Sequence, residues 1–383
     1  MKIKVLLKLF KQYKEKSLYH RYITNKHIAP LLAKFESNVL VETIGYSVNN
    51  KPIYSIIMGS GDKKILIWSQ MHGNESTTTK ALFDVLNTLN SNETTAEHIL
   101  NTCSLYIIPI LNPDGAEAYT RVNASEVDLN RDAQALSQPE SKVLRHAFDT
   151  FKPHFCYNLH GQRTIFSAGH SRHPATVSFL APAQDELCSL TENRKVAMEV
   201  IGVMNNMLQA LIPNQVGVYD DSFNSNCVGD TFQSKNVPTL LFEAGHYPND
   251  YKREKTREFI YCSLLTSLDY ISKHTVDGSN HQTYYDIPQN EKLYFDIIIR
   301  NVQLKLTDTF TDIGILYQEK LNDGCIEFVP KVEKIDRLDG FFGHKEINAN
   351  GNKVFTKENT PLKTGYENDF VIINNEKISL LLK

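Results

Sequence analysis

No apolar run in the chain approaches the length needed to span a bilayer. No C-x-x-C pair occurs among the six cysteines, Cys103, Cys156, Cys188, Cys227, Cys262 and Cys325. A chain of 383 residues builds its core without disulfides, so reduced, mostly buried thiols are expected. There is almost no charge imbalance: the formal net charge is -3, which gives no electrostatic reason to expect nucleic acid or an anionic membrane as partner. Internal repeats and low-complexity tracts are missing. So is G-x-S-x-G, and no cysteine sits in a recognisable nucleophile motif, which leaves serine and cysteine hydrolases without support. The first residues hold a leucine cluster, but Lys8, Lys11, Lys14 and Lys16 interrupt or closely follow it and no small-residue cleavage site appears. The expectation is an amphipathic leading helix and a cytoplasmic protein. There the N-x-S/T sequons at Asn74, Asn92 and Asn123 have no meaning.

What is present is ordinary for a globular protein, with 41% hydrophobic and 22% charged residues. Val39–Ile44 and Ile53–Met58 read as a hairpin or meander. Lys64–Met71 is nearly continuous in apolar residues, as suits a strand buried on both faces. Helical character follows over Ser76–Leu89. The alternation continues with a strand at Ser104–Leu111, a helix N-capped by Ser137 and running to about Phe151, and a strand at Phe155–Leu159. A helical stretch at Asp185–Leu211, a strand at Val237–Phe242 and a helix at Lys255–Ile271 complete it. Strands alternating with helices predict an α/β fold with a mixed, largely parallel sheet between helices. After about His274 the texture changes: Thr275–Tyr284 is polar, and Leu293–Leu306, Gly314–Tyr317, Cys325–Phe328 and Phe370–Ile373 are short β-prone runs. The expected organisation is a catalytic domain over 1–274 and a small β-rich C-terminal domain over 284–383.

Open α/β sheets bind ligands beyond the carboxyl ends of their strands, and polar motifs lie at those places here. His72-Gly73-Asn74-Glu75 follows the Lys64–Met71 strand, His160 ends the Phe155–Leu159 strand, and Glu243 ends the Val237–Phe242 strand. Asp128-Leu129-Asn130-Arg131 is preceded by Asn112-Pro113-Asp114-Gly115 and Arg121. A His and a carboxylate three residues apart on a tight loop can point at one ion, and zinc accepts imidazole and carboxylate donors. Each motif alone is commonplace. Their joint occurrence at successive strand ends points to a metal-dependent hydrolase.

From about Ile44 to Ile271 the chain resembles the zinc metallocarboxypeptidase family of the carboxypeptidase A/B type, in a bacterial-looking, non-digestive branch. The stretch from Asn112 through Arg121 to Arg131 carries the resemblance best. The resemblance implies a mixed, largely parallel eight-stranded sheet and one zinc ion held by His72, Glu75 and His160. It implies Glu243 as general base, Arg121 as the arginine that polarises the scissile carbonyl, and Asn130 with Arg131 as the pair that holds the substrate's terminal carboxylate. Tyr219 is similar in place to the tyrosine that caps substrate. The chemistry agrees with these roles. Zinc lowers the pKa of bound water to about 7, a carboxylate can take its proton, and an arginine fork matches a carboxylate.

Several residues depart from the digestive pattern. The first motif reads H-G-N-E, His160 is followed by Gly161-Gln162-Arg163, and Glu243 by Ala244-Gly245-His246. Arg163 is a candidate second anion contact and His246 a candidate support for Glu243. Asp220, Asp221 and Asp230, near Cys227, would favour a cationic side chain or form an acidic surface loop. His170 and His173 are rival ligands that follow no strand end. Substrate is therefore a peptide or an acylated amino acid. The leading expectation is a metallocarboxypeptidase. The alternatives are an amidase or deacylase of the murein-peptide amidase or succinylglutamate desuccinylase/aspartoacylase kind, and a metal-bound, inactive binding module.

Overall fold

The computed structural model describes residues 1–35, 39–303 and 310–382. They fall into two units, one of residues 1–162 and 175–290, the other of 163–174 and 291–383. The first unit opens with helices α1 (Ile3–Tyr13) and α2 (Asn25–Phe35). Next come strands β1 (Leu40–Tyr46), β2 (Pro52–Met58) and β3 (Lys63–Ser69), helices α3 (Thr77–Leu89) and α4 (Thr94–Thr102), and strand β4 (Cys103–Ile108). Helices α5 (Pro113–Ala118) and α6 (Pro139–Phe151) lead to β5 (Phe155–Gly161). After β6 (Ser167–Ala168), which belongs to the second unit, the first resumes with β7 (Val177–Leu180), α7 (Glu192–Gln209), β8 (Val216–Val218), α8 (Val228–Ser234), β9 (Thr239–Ala244) and α9 (Glu254–Lys273). Strand β10 (Asn290–Glu291) spans the boundary.

Eight strands form one mixed sheet in the order β1-β2-β4-β3-β5-β9-β7-β8. The four central strands, β4, β3, β5 and β9, run parallel, and antiparallel neighbours close both sides. The apolar run of β3 shows why the centre is buried on both faces. Side chains alternate across a strand, and Ile65 and Ile67 enter one core while Leu66 and Trp68 enter the other. The first core takes residues of α1, α3, α4, α7 and α9; the second takes Leu144 and Phe148 of α6 and Phe232 of α8. Trp68 is fully buried, and burying a side chain of that size contributes about 2–3 kcal/mol. Helix α1 is amphipathic, with Leu6, Leu9 and Phe10 buried and Phe10 packed on Tyr261 at 5.2 Å between ring centroids.

Local physics shifts several boundaries from the sequence expectation. Helix α6 begins at Pro139 with Gln138 as its cap residue. Ser137 lies one residue before the cap position; its amide and hydroxyl donate to Asp132 and its oxygen accepts from Gln138 Nε2. Asp185–Ser189 is a turn built on the Asp185 carboxylate, so α7 starts only after Thr191, whose hydroxyl caps Arg194. Strand β3 ends at Ser69 because Gln70 takes the left-handed conformation, φ 43°. Strand β9 starts at Thr239 and runs through Glu243; likewise His160 lies within β5. Cys103, Cys156 and Cys262 are buried, Cys188 and Cys227 are half-buried, Cys325 is exposed, and all six thiols are free.

The second unit is β-rich. Strands β11 (Tyr294–Val302), β12 (Thr311–Asn322), β13 (Cys325–Asp336) and β14 (Phe342–Asn348) form a sheet in the order β13-β12-β11-β14. Strands β15 (Val354–Phe355), β16 (Phe370–Ile373) and β17 (Glu376–Ser379) form a second. The expected short runs at Gly314–Tyr317 and Cys325–Phe328 are parts of twelve-residue strands. Asp323 and Gly324, both at positive φ, make the two-residue turn that pairs them. The end of the expected Leu293–Leu306 run lies outside the described residues. Among the described residues no helix is long and apolar enough to cross a membrane.

Candidate metal centre and active site

The loop after β3 is shaped by backbone contact before any chemistry. Gly73 lies against α5 so closely that a Cβ would sit 1.9 Å from the carbonyl carbon of Gly115. Asn112 caps α5 by accepting from the Gly115 amide at 2.8 Å, and its Nδ2 donates to the Met71 carbonyl at 3.1 Å. Gln70 Nε2 donates to the Gly73 carbonyl. The Asn112–Gly115 motif is therefore a brace that holds His72 and Glu75 in place. At the other end of the site, β5 and β9 pair in parallel with His160 opposite Glu243. The turn after Glu243 also demands glycine, since a Cβ on Gly245 would lie 2.1 Å from the Ala175 carbonyl oxygen. This explains the Glu-Ala-Gly sequence. Arg253 closes that turn by donating to the carbonyls of Ala244, Gly245 and Gln162.

His72, Glu75 and His160 converge. The two Nδ1 atoms are 3.1 Å apart. His72 Nδ1 is 2.9 Å from Glu75 Oε1, and His160 Nδ1 is 3.0 Å from Glu75 Oε2. Among the described residues this is the one set of three His, Cys, Asp or Glu donors gathered within 4.8 Å of one another. Two imidazole nitrogens and two carboxylate oxygens are lone-pair donors that repel unless protons or a cation lie between them. Three donors on one face of a tetrahedral zinc site stand about 3.3 Å apart, from metal–ligand distances of about 2.0–2.1 Å. The trio fits zinc. His170 and His173 lie on the exposed surface of the second unit, where His170 faces Glu291 at 3.5 Å, and Arg163 is exposed in that unit too. His246 is buried against the Tyr251 ring.

Asp128, given no role by the sequence reading, completes the arrangement. Its Oδ1 lies 3.0 Å from His72 Nε2 and accepts from the Asn130 amide, and its Oδ2 accepts from Arg121 Nε at 3.0 Å. A carboxylate on the far nitrogen fixes the tautomer and leaves Nδ1 as the ligating atom. Its place in the Asp128–Arg131 motif was the available signal. Arg121 also reaches Glu75 Oε1 at 3.4 Å, with its guanidinium half-exposed. Burial disfavours charge on His72, but the Glu75 carboxylate and the Asp128 hydrogen bond outweigh it and raise its pKa. Burial of His160 prevails and lowers its pKa. Burial likewise opposes ionisation of Glu75 and Asp128, yet their histidine partners hold both well below the usual carboxylate range.

Glu243 has the opposite fate: burial, then the negative charge of Glu75, push its pKa well above the ordinary value. Its Oε2 is buried without a hydrogen-bond partner among the described residues. A carboxyl group with raised proton affinity beside a cationic centre is suited to taking and returning a proton. Asn130 is buried, and its Oδ1 accepts from the Val228 amide at 3.0 Å, which leaves Nδ2 as the donating end. Arg131 is exposed and braced on the Asn130 carbonyl at 2.8 Å. Tyr219 follows β8, and its phenol is raised in pKa by burial and by the charges of Glu243 and Glu75. Asp221 is paired with Arg194, Asp220 is exposed and caps Ser222, and Asp230 is buried. Burial holds the Cys227 thiol up at about 11, protonated at neutral pH and a poor nucleophile.

Comparison with known proteins agrees with this geometry. Residues 24–228 match the family described as "Zinc carboxypeptidase". Carboxypeptidase 2 of Trichophyton rubrum is 28% identical over 144 residues, 37% of this chain and 26% of that protein. Carboxypeptidase 2 of Trichophyton tonsurans is 28% identical over 135 residues, 35% of this chain and 24% of that protein. The matched stretch thus spans only about a quarter of these relatives' length. A metallo-carboxypeptidase from Burkholderia cenocepacia shares the fold with TM-score 0.51 and 17% identity, covering 65% of this chain and 69% of that one. The family match takes in more than half of the 383 residues, so the chain belongs to the zinc carboxypeptidase family.

Proposed function

We propose that this member of the zinc carboxypeptidase family is a metallocarboxypeptidase that removes residues from the C-terminus of peptides, using one zinc ion held by His72, Glu75 and His160. The observation that carries the reading is the pairing of a three-donor centre with a buried, proton-seeking carboxyl on the neighbouring strand, His160 opposite Glu243. Zinc, when bound, supplies a Lewis acid that polarises a carbonyl and makes water a stronger acid. Glu243 accepts the proton of the attacking water and returns it to the leaving amine nitrogen. Arg121, held edge-on by Asp128, places positive charge where the carbonyl oxygen becomes negative. Asn130 offers Nδ2 and Arg131 its guanidinium to the terminal carboxylate, a charge-assisted contact that selects a free C-terminus. Tyr219 covers the bound residue.

The test couples metal analysis to a panel of peptides with free and amidated C-termini and of N-acyl amino acids. The expected result is about one zinc per chain and cleavage confined to free C-termini. Glu243→Gln should keep its zinc and lose activity by about 10²–10⁴-fold, the share usually carried by a positioned acid–base. Absence of divalent metal, activity that survives chelation, or turnover of N-acyl amino acids alone would each overturn the reading.

A further inference from the structure

We infer that Arg194 and Asp221 form a clasp that positions the segment carrying Tyr219, so that Arg194 acts on the reaction through the tyrosine without touching substrate. This rests on the carboxypeptidase reading and adds to it two residues outside the metal centre. The segment from Tyr219 to Cys227 has no regular structure between β8 and α8. At its start, the Tyr219 amide donates to the Phe179 carbonyl at 3.0 Å. Two residues on, the Asp221 carboxylate accepts from Arg194 Nη2, and the Asp221 carbonyl accepts from Cys188 Sγ at 3.2 Å. Arg194 is only 3% exposed. Its other donors reach the Cys188 carbonyl at 2.7 Å and the Ala181 carbonyl at 3.2 Å. One buried guanidinium thus ties α7, the turn at Cys188, the chain leaving β7 and the tyrosine segment together. Cys188 itself sits at φ 50°, a strained place for a side chain and one that its surroundings must hold.

Tyr219, Asp221, Arg194 and Cys188 line one cavity of about 330 Å³. The clasp and the tyrosine thus share one cavity wall, so a shift of the Asp221 backbone is passed on to Tyr219 two residues away. The far end of the segment is anchored to the substrate side: the Ala133 amide donates to the Asn226 carbonyl, and the Val228 amide to Asn130 Oδ1. The clasp therefore spans from α7 to the residues proposed to hold the terminal carboxylate. Asp221, read from the sequence as a possible attraction for a cationic substrate side chain, is already neutralised by Arg194.

The experiment is a double-mutant cycle on the full chain, Asp221→Asn and Tyr219→Phe, singly and together, with Arg194→Lys as the conservative variant. Activity is read on a peptide with a free C-terminus, and 3-fluorotyrosine incorporated throughout is read by fluorine NMR, the Tyr219 resonance being assigned by its loss in Tyr219→Phe. The expected result is about a ten-fold fall in kcat/KM for Asp221→Asn, mostly in KM, shrinking to within about two-fold in the Tyr219→Phe background. Arg194→Lys should retain more activity than Arg194→Met. The Tyr219 resonance should shift or broaden in Asp221→Asn at unchanged zinc content. An Asp221→Asn loss of equal size in both backgrounds, or an unmoved Tyr219 resonance, overturns the clasp. If the resonance moves but the wild type cleaves no peptide, the carboxypeptidase reading falls and the clasp stands.

Discussion

Replacing Asp128 with Asn tests whether the metal centre is set by the group behind His72 as much as by the ligands. The two side chains have nearly the same shape, so packing is preserved. In the native protein Oδ1 serves His72 Nε2 at 3.0 Å and the Asn130 amide at 2.9 Å, while Oδ2 serves Arg121 Nε at 3.0 Å. An amide has one acceptor. If its oxygen stays on the His72 side, its NH₂ faces the Arg121 N–H, donor against donor. If it flips, its NH₂ donates to His72 Nε2, and the ring proton is driven to Nδ1, the atom that must ligate. Both orientations cost binding. Removing such an outer partner typically weakens metal affinity by about 10–100-fold, or about 1.4–2.7 kcal/mol. Zinc affinity measured by competition with a chromophoric chelator should fall by that factor, with a further fall in kcat/KM because Arg121 loses its brace. If Asp128→Asn holds zinc within about two-fold of wild type, the positioning role of Asp128 is wrong.

Arg131→Ala should cost about 10–100-fold in kcat/KM on free-acid peptides, the value of one or two charge-assisted hydrogen bonds. C-terminal amides should change little, and an equal loss on both would remove Arg131 from carboxylate recognition. Asp230 has its pKa raised to about 6 by burial, against about 3.9 for an unfolded aspartate. The folded state holds this proton more tightly, so its contribution to stability is full below pH 4 and is lost as pH rises through 6. Asp230→Asn should therefore be more stable than wild type at pH 7.5 by up to about 3 kcal/mol and nearly equal at pH 4; denaturant melts at both pH values decide it. Arg257 makes a bidentate pair with Asp84, at 2.7 and 2.6 Å, with both side chains fully buried. Arg257→Met leaves the Asp84 charge buried without its partner and should destabilise by about 3–5 kcal/mol at neutral pH. A loss under about 1 kcal/mol would show that Asp84 is folded uncharged.

The parts of the fold legible in sequence are those where one physical effect dominates. Ile65–Trp68 and Leu105–Ile108 lie in central strands of the sheet, and these continuous apolar runs say so without competition. Val177–Leu180 and Val216–Val218 are four and three residues long. They carry no pattern of their own: the first pairs with the edge that β9 offers, and the second pairs in turn with the first. The helix cap at residues 137–138 misled for a related reason. Ser137 has the right chemistry to cap, but Asp132 holds its amide and hydroxyl, its oxygen accepts from the Gln138 side chain, and the helix starts after Gln138. Long-range pairing and local competition both depend on neighbours that linear spacing does not reveal.

The site follows the same division. Candidate ligands at strand ends are legible because the sheet puts the carboxyl ends of parallel strands side by side, and His160 and Glu243 need only a register to become neighbours. Roles that pass through a second residue were not legible. Asp128 stands beside recognisable residues, yet its function depends on which nitrogen of His72 it meets, a fact of three-dimensional direction. Gly73 looks like a flexible turn residue and is in fact where two backbones touch. Asp221 reads from sequence as a charge open to substrate, whereas Arg194, 27 positions away, is paired with it. Sequence patterns name groups that touch the reacting atoms, because chemistry limits which residue types serve there. The groups that aim them are drawn from a wider set of side chains, and geometry alone distinguishes them.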